Sequence, residues 1–309
     1  MTTPAEPAAE AGIGAAPAPV PDVGIGPDPV PGQPDELRSR LVRVTAPNPG
    51  MMTGPGTNTY LVGAKDLAVI DPGPNDDVHL KAILAEATAR DGVIRWVLVT
   101  HTHRDHAPLA NRLAREVGAE VIGFEAREAF VPDRPVTDGW TLEGGDFILR
   151  AVHTPGHAGD HVCWYWPEHA LLFTGDHVMH GSTVVIRPPD ADMSTYLANL
   201  RRLLEFDASI EVIAPGHGRL IAEPALVIER IIEHRLAREV LVAAALAQAG
   251  SATIDELVPT VYADVDEARF PVARLSLWAH LRRLAELGRA QAPPGDDELT
   301  VIWTATPTT

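Results

Sequence analysis

The feature that most constrains this chain is the run His101-Thr102-His103-Arg104-Asp105-His106, which begins two positions after the end of the apolar stretch 93–99. Four of its six side chains are potential metal ligands. His101 and His103 are two residues apart, so an extended backbone directs both rings to the same side. We predict a strand that ends near residue 99, with Asp105 and His106 at the start of the following helix. The run alone predicts one metal site at a strand-to-helix junction.

Three later segments each add one candidate ligand on a glycine-containing turn after a predicted strand. They are Thr154-Pro155-Gly156-His157, Thr174-Gly175-Asp176 and Ala214-Pro215-Gly216-His217-Gly218. A single histidine of this kind is more often a core or surface residue. Imidazoles and carboxylates that recur together at strand ends are instead typical of a metal site. We therefore expect these turns to converge on the first run, where a second metal becomes possible.

Short apolar runs typical of strands alternate with helical stretches, which predicts a mixed α/β fold. The helical stretches are expected at 78–89, 108–117, 193–204 and 225–248. We divide the chain into a disordered Pro/Ala-rich tail (1–36), a main domain (37–235) and a small winged-helix-like domain (236–309). In the small domain, residues 253–256 resemble a capping box. A helix at 271–287 and two strands, near 289–292 and 299–303, should follow.

Charge and cysteine content narrow the possible partners and the compartment. The formal net charge of −17 argues against non-specific binding to nucleic acid or to an anionic membrane. The longest apolar stretch, residues 240–247, is far shorter than the ~20 residues that a membrane span needs. The one cysteine, Cys163, cannot form an intramolecular disulfide, so we expect a reducing, cytoplasmic location.

The ligand pattern resembles the metallo-β-lactamase superfamily over about residues 37–235. The resemblance implies an αββα sandwich with two divalent metal ions at one edge. It implies that one metal is bound by His101, His103 and His157, and the other by Asp105, His106 and His217, with Asp176 as a bridge. Zn²⁺ suits these nitrogen and oxygen ligands, and iron or manganese are alternatives.

The implied function is a dinuclear metal-dependent hydrolase. Two metals ~3.5–4 Å apart lower the pKa of a shared water, and the resulting bridging hydroxide attacks an ester, thioester or phosphodiester bond. Asp105 would also orient this hydroxide as the catalytic residue. Asp71 matches an early aspartate of the superfamily that orients ligand histidines, although aspartate before proline is also common in turns. His161 and His234 are candidates for ligand support or substrate contact.

Several segments resemble the β-lactamase-like protein 2 group, among them residues 56–63, 196–200 and 275–281. That group carries a winged-helix domain, and its relatives include single-stranded RNA endonucleases and thioesterases that release polyketides from carrier proteins. Both substrate classes therefore stay open. From Leu236 onward the chain has six arginines, no lysine and ten acidic residues, whereas a nucleic-acid-reading wing should be basic. This balance slightly favours a small molecule or an acyl thioester, with the last domain shaping the substrate entrance.

Three other interpretations are weighed against the two-metal hydrolase. A nuclease with a large inserted domain does not fit, because only 41 positions separate Asp176 from His217. Mono-iron sulfur dioxygenases share the histidine run but need no ligand at His217. A non-catalytic protein that binds DNA through the winged helix is a different class. The complete set with Asp105 argues against that class, since four ligands already close a structural zinc site.

Overall fold

A computed structural model describes residues 15–293 and 299–306. The described chain divides into two compact units: one spans Pro19–Ile232, and the other begins at Glu233. The first unit contains two seven-stranded sheets and the second a three-stranded sheet. None of the helices in the described ranges combines the length and apolar character of a membrane span.

In the first sheet the strands lie in the order of the sequence. They are β2 (Pro34–Arg38), β3 (Leu41–Thr45), β4 (Asn58–Val62), β5 (Asp66–Ile70), β6 (Val93–Leu98), β7 (Glu120–Gly123) and β8 (Arg134–Pro135). Neighbours from β2 to β5 pair antiparallel, and those from β5 to β8 pair parallel. The parallel half places the ends of β5, β6 and β7 at one edge of the sheet, where loops carry function.

The second sheet has the strand order β1-β14-β13-β12-β11-β10-β9. Its strands are β1 (Gly24–Ile25), β9 (Thr141–Glu143), β10 (Ile148–His153), β11 (Val162–Trp166), β12 (Leu171–Gly175), β13 (Val212–Pro215) and β14 (Leu220–Ile221). The neighbours β12 and β13 are parallel. The turns that follow these two strands therefore lie side by side.

Four helices match the predicted stretches closely. They are α1 (Asp77–Ala89), α2 (Ala110–Val117), α3 (Met193–Leu204) and α4 (Pro224–Ala249). Asp76 caps α1 by accepting from the backbone N–H of His79, and α2 ends at Gly118 in the left-handed conformation. α3 is attached to two turns of the second sheet, because Tyr196 Oη donates to the carbonyl of His177 and Asn199 donates to that of Pro155.

Strand β5 shows how the layers are held together. Leu67 and Val69 face one way and pack with residues of α1 and α2. Ala68 and Ile70 face the other way and pack against the second sheet, including Trp164. A strand buried on both faces needs a continuous apolar run rather than an alternating one. The described elements thus confirm the predicted mixed α/β sandwich.

Two expectations about this unit are wrong. In the segment predicted to be disordered (1–36), of which residues 1–14 lie outside the described range, β1 and the start of β2 form because the backbone pairs with β14 and β3, although the composition offers little apolar surface. Val20 within it is also buried. The helix after the histidine run begins only at Ala110, so Asp105 and His106 lie on a turn closed by the bond from the His106 N–H to the His103 carbonyl.

The second unit contains α5 (Ile254–Val261), α6 (Phe270–Glu286) and a small sheet of β15 (Ser251–Ala252), β17 (Trp303–Ala305) and β16 (Ala290–Gln291). The capping box of Thr253 and Glu256 is present. On α6, Leu277 and Trp278 lie in the core of this unit. The last strand begins at Trp303 rather than near 299, and residues 294–298 between the two strands lie outside the described range.

Candidate metal centre

Three ring nitrogens meet at the carboxyl ends of β6 and β10. Nδ1 of His103 lies 2.9 Å from Nε2 of His101 and 3.0 Å from Nε2 of His157. The other nitrogen of His157 donates to the Val185 carbonyl at 2.9 Å, so its Nε2 carries a lone pair. The inward-facing nitrogens cannot all be satisfied by hydrogen bonds to one another, whereas a cation between them accepts all three lone pairs.

A second group of four side chains is built from Asp105, His106, Asp176 and His217. Asp105 Oδ2 lies 3.2 Å from Nε2 of His217 and 3.4 Å from Nε2 of His106. Asp176 Oδ1 lies 3.3 Å and 3.4 Å from the same two nitrogens. Two imidazoles and two carboxylates therefore point at one small volume.

The carboxylate of Asp176 spans the two groups. Its Oδ1 faces His106 and His217, and its Oδ2 lies 3.7 Å from Nε2 of His157. One oxygen is thus directed at each group. This is the geometry that a shared ligand of two neighbouring cations requires.

The outward nitrogens of the histidines in the second group are fixed by acceptors. Asp71 Oδ2 lies 2.8 Å from Nδ1 of His106, and the Gly56 carbonyl lies 3.1 Å from Nδ1 of His217. Asp71 itself accepts from both the backbone N–H and the hydroxyl of Thr100, each at 2.7 Å. A protonated outward nitrogen leaves Nε2 free to bind a metal.

Buried polar atoms without partners support a metal at this place. Nε2 of His106, Nε2 of His217 and Oδ1 of Asp176 are buried and have no hydrogen-bond partner among the described residues. Each such group costs about 1–3 kcal/mol when it stays unsatisfied. The donor atoms are imidazole nitrogens and carboxylate oxygens, which together bind divalent metals such as Zn²⁺, Fe²⁺ or Mn²⁺. The residues present therefore fit divalent metal binding.

The two groups differ in their electrostatics. Burial lowers the pKa of His157 to about 4, and it lowers the pKa of His101 well below the ordinary value, with neighbouring imidazoles adding to both effects. In the second group, burial opposes the charged form of His217, but the carboxylates of Asp176 and Asp105 together outweigh it and raise the pKa of His217 to about 9. Burial likewise acts against charge on Asp105, yet His106 holds the pKa of that carboxyl below its usual range.

Gly216 leaves the space in which the second group assembles. A Cβ at this position would lie 2.7 Å from Oδ1 of Asp176 and 2.7 Å from Cε1 of His106. Real side chains essentially never approach so closely. The glycine before His217 is therefore needed for the close approach of two candidate ligands.

His161 and His234 occupy different surroundings. The ring of His161 stacks on that of His101 with centroids 5.0 Å apart and is fully buried. This position suits support of His101 better than contact with a substrate. His234 lies on α4 in the second compact unit and belongs to neither ligand-type group; burial, followed by Arg235 and Arg238, lowers its pKa to about 4.

Three residues near the groups were not predicted from the sequence. Thr100 lies between His101 and Asp71, and its hydroxyl is 3.0 Å from Nδ1 of His101. Buried Asp160 accepts from the Thr102 backbone N–H at 3.0 Å and so holds the turn that carries the histidine pair. Thr57 Oγ1 lies 3.5 Å from Asp105 Oδ2. Of the three, only Asp160 could have been suspected from the sequence, because it lies between the candidate residues His157 and His161.

Two family profiles match the chain. Residues 52–217 match the profile described as metallo-beta-lactamase superfamily, which covers all seven residues of the two groups. Residues 253–297 match the profile described as beta-lactamase associated winged helix domain.

Curated relatives match most of the chain. A beta-lactamase-like protein 2 homolog from Drosophila melanogaster is 30% identical, over 87% of this chain and 96% of its own length. An atrochrysone carboxyl ACP thioesterase from Aspergillus chevalieri is 33% identical, over 77% of this chain and 79% of its own length. A thioesterase from Emericella nidulans is 36% identical, over 69% of this chain and 61% of its own length.

Solved structures share the fold. A metallo-beta-lactamase family protein from Thermus thermophilus has a TM-score of 0.73 and 22% identity, over 87% of this chain and 100% of that chain. A beta-lactamase domain protein from Burkholderia ambifaria has a TM-score of 0.76 and 21% identity, over 90% of this chain and 95% of that chain. At these identities the likeness describes the architecture alone.

Proposed function

The chain belongs to the metallo-beta-lactamase superfamily and is a hydrolase of that superfamily, and we propose that it uses two divalent metal ions, Zn²⁺ in the first instance, to cleave ester or thioester bonds. The observation that carries this proposal is the position of Asp176, whose two oxygens face separate groups of ligand-type side chains. One ion would be held by His101, His103 and His157, and the other by Asp105, His106 and His217. Asp176 would bind both ions.

When bound, the metal pair supplies a nucleophilic oxygen at neutral pH and polarises the carbonyl of the substrate. The chain's own residues fix the direction of attack. Asp105 is the more exposed of the two carboxylates in its group, with 27% of its side chain accessible against 11% for Asp176. The ionised Asp105 accepts hydrogen bonds only, so it orients an incoming water.

A thioester suits this arrangement because of its leaving group. An alkyl thiol has a pKa near ~8.5, so a thiolate can leave with little protonation at neutral pH. The alkoxide released from an ester is a much stronger base than a thiolate, so it depends far more on a proton donor to leave. The thioesterase names of the relatives from Aspergillus chevalieri and Emericella nidulans support this substrate class.

The test uses the full chain loaded with Zn²⁺ and an acetyl thioester of N-acetylcysteamine, with a labelled single-stranded RNA assayed in parallel. We expect thioester hydrolysis that chelation abolishes, and a loss on the order of 10³-fold in kcat/KM for His103→Ala and Asp105→Asn. His169→Gln is the matched control, because His169 lies outside both groups and should keep the activity of the wild type.

Two results would overturn the proposal. RNA cleavage that depends on metal and on His103, without thioester hydrolysis, would identify a nuclease. Sequence-specific binding of DNA at physiological salt, together with no hydrolysis of any substrate, would identify a non-catalytic protein that uses its winged-helix domain.

A further inference from the structure

A cavity of about 300 Å³ opens beside His217, at the edge of the second ligand group. Residues within the ranges 179–182 and 217–219 line it, together with two further segments. The methionine loop, residues 46–57 between β3 and β4, contributes Met51, Met52 and Pro55. The strap, residues 22–29 of the N-terminal segment, contributes Asp22, Asp28 and Pro29. This volume is at the lower end of the range for small-molecule sites.

The methionine loop is anchored to the ligand groups at its base. Thr57 forms an isolated bridge with His217, and the Gly56 carbonyl accepts from Nδ1 of His217. Asn48 accepts from the Thr57 N–H and donates to the Thr57 hydroxyl, both at 2.9 Å, and that hydroxyl faces Asp105. The loop therefore has a fixed position relative to Asp105.

The tip of the same loop exposes two large apolar side chains. A bond from the Gly50 N–H to the Gly54 carbonyl at 3.0 Å closes the turn that carries them. Met51 is 61% exposed and Met52 is 47% exposed. Flexible methionine side chains adapt to apolar ligands of varied shape, and apolar surface beside a cavity is typical of a binding site.

The strap is held by β14 and by the side chains of Arg219 and His180. β1 pairs with β14, and the Arg219 guanidinium donates to both oxygens of Asp22 at 2.9 and 3.1 Å. Nε2 of His180 lies 2.9 Å from Asp22 Oδ1. A Cβ at Gly24 would lie 2.2 Å from Nε2 of His180, so a side chain there would displace the His180 ring from its present position.

At the strap end of the cavity, the charges of the lining disfavour an anionic group. The lining contains the carboxylates of Asp22 and Asp28, and Arg219 is already paired with both of them. A phosphate or carboxylate that entered would meet these acidic groups without a free guanidinium to neutralise it. An uncharged group avoids this repulsion, and it gains free energy when it covers the apolar surface of the methionines.

We propose that this cavity is the acyl subsite of the enzyme and that it takes an uncharged apolar acyl or aryl group, with the strap excluding anionic chains. The inference rests on the proposed thioester hydrolase and adds the class of acyl group to it. Its first test compares S-acyl N-acetylcysteamine thioesters from acetyl to octanoyl, which carry no charge, on the full chain loaded with Zn²⁺.

We expect kcat/KM of the wild type to rise with acyl length. The double variant Met51→Ala/Met52→Ala should lose about tenfold on octanoyl and less than about twofold on acetyl, because roughly two methylene groups lose their apolar contacts. The matched control is Val131→Ala, an exposed apolar residue that does not line the cavity, and it should follow the wild type at every length.

A second arm tests the strap with a butyryl and a succinyl thioester, which differ by a terminal carboxylate. The wild type should prefer butyryl by about tenfold or more. Asp28→Asn should reduce that preference severalfold, because it removes one negative charge and releases Arg219 from one partner. High salt should narrow the preference of the wild type and leave that of the variant less affected.

The failures of the two proposals are distinguishable. If acetyl thioester is hydrolysed but acyl length has no effect, or if the double variant loses equally on all lengths, the acyl subsite lies elsewhere and only this inference is overturned. An unchanged preference for butyryl in Asp28→Asn overturns the role of the strap. If no thioester is hydrolysed under metal-loaded conditions, both the proposed function and the subsite are wrong.

Discussion

Asp71 orients the imidazole ring of one proposed metal ligand, His106, and supports another, His101, through Thr100. Its side chain accepts from Nδ1 of His106 and from both donors of Thr100, and the Thr100 hydroxyl lies against His101. Asp71 also adopts φ of +50°, which is uncommon for a residue other than glycine. The surrounding hydrogen bonds hold this backbone conformation in place, so the role of Asp71 depends on its position as much as on its charge.

We predict that Asp71→Asn weakens metal binding by about 10- to 100-fold, because an amide is a poorer acceptor for the imidazole of His106 and the bonds to Thr100 must rearrange. Competition with a chromophoric chelator measures the affinity. Asp66→Asn, on the exposed start of β5, is the matched control and should bind metal like the wild type. Equal affinity in the two variants would remove Asp71 from its orienting role.

Gly216→Ala should disturb the second group while it leaves the first in place. The added methyl would overlap Asp176 and His106, so one of them must move away from the shared volume. We expect the variant to lose about one metal per chain under chelator dialysis that does not strip the wild type. Gly181→Ala is the contrast for backbone strain alone, since φ there is +66° and a Cβ meets nothing within 4 Å, whereas Gly216 lies outside the left-handed region. Full metal content in Gly216→Ala would contradict the proposed geometry.

The sequence predicted the seven ligand-type residues because each stands in a short motif at a strand end. It did not predict Thr100 or Asp160, whose contribution depends on which backbone N–H or imidazole lies nearby after folding. Such partners leave little trace in local residue patterns.

Among the elements, α1 is linked to the first sheet by a buried histidine. The hydroxyl of Thr59 donates to the Asp71 carbonyl at 2.6 Å, so Nε2–H of His79 donates to Thr59 Oγ1 at 2.7 Å. Nδ1 of His79 is buried and has no hydrogen-bond partner in the described part of the chain. Burial lowers the pKa of His79 to about 4, because a proton on Nδ1 would be a charge without a partner.

The lowered pKa of His79 should make the free energy of unfolding depend on pH. The folded-state pKa of His79 lies below the unfolded value of 6.5, so the unfolded chain binds the proton more readily between the two. Stability is therefore complete above pH 6.5 and falls as the pH drops toward 4. Between pH 7 and pH 5 the loss due to His79 should be about 2 kcal/mol.

Denaturant unfolding of the wild type and of His79→Gln, both with excess chelator, measures this effect. Glutamine can still donate to Thr59 but does not titrate, so the free energy of unfolding should fall less between pH 7 and pH 5 in the variant. The other buried histidines are common to both proteins and cancel in the difference. Parallel curves for the two proteins would show that His79 is not kept neutral by the fold.

Long elements could be predicted from their own sequence, and short ones could not. The four helices and the central strands have apolar patterns that fix their type. The strands β1, β8 and β14 have only two residues each and exist because a neighbouring strand offers unpaired backbone groups. The proline-rich start therefore suggested disorder, whereas pairing with β14 places part of it at the cavity beside His217.

In the molecule as a whole, the main unit brings turns from both sheets to one place. The ligand-type residues follow β6 in the first sheet and β10, β12 and β13 in the second. The face-to-face packing of the sheets through one apolar core fixes the distance between these turns. Any change that separates the sheets should therefore affect both ligand groups together.

The most direct test of the two-metal centre is the metal content per chain, measured by mass spectrometry after gel filtration of the Zn²⁺-loaded protein. We predict about two metals in the wild type, about one in His103→Ala, where the first group is incomplete, and about one in His217→Ala, where the second is incomplete. A wild type that retains one metal per chain or fewer, or retention of two in both variants, would contradict the two-metal centre.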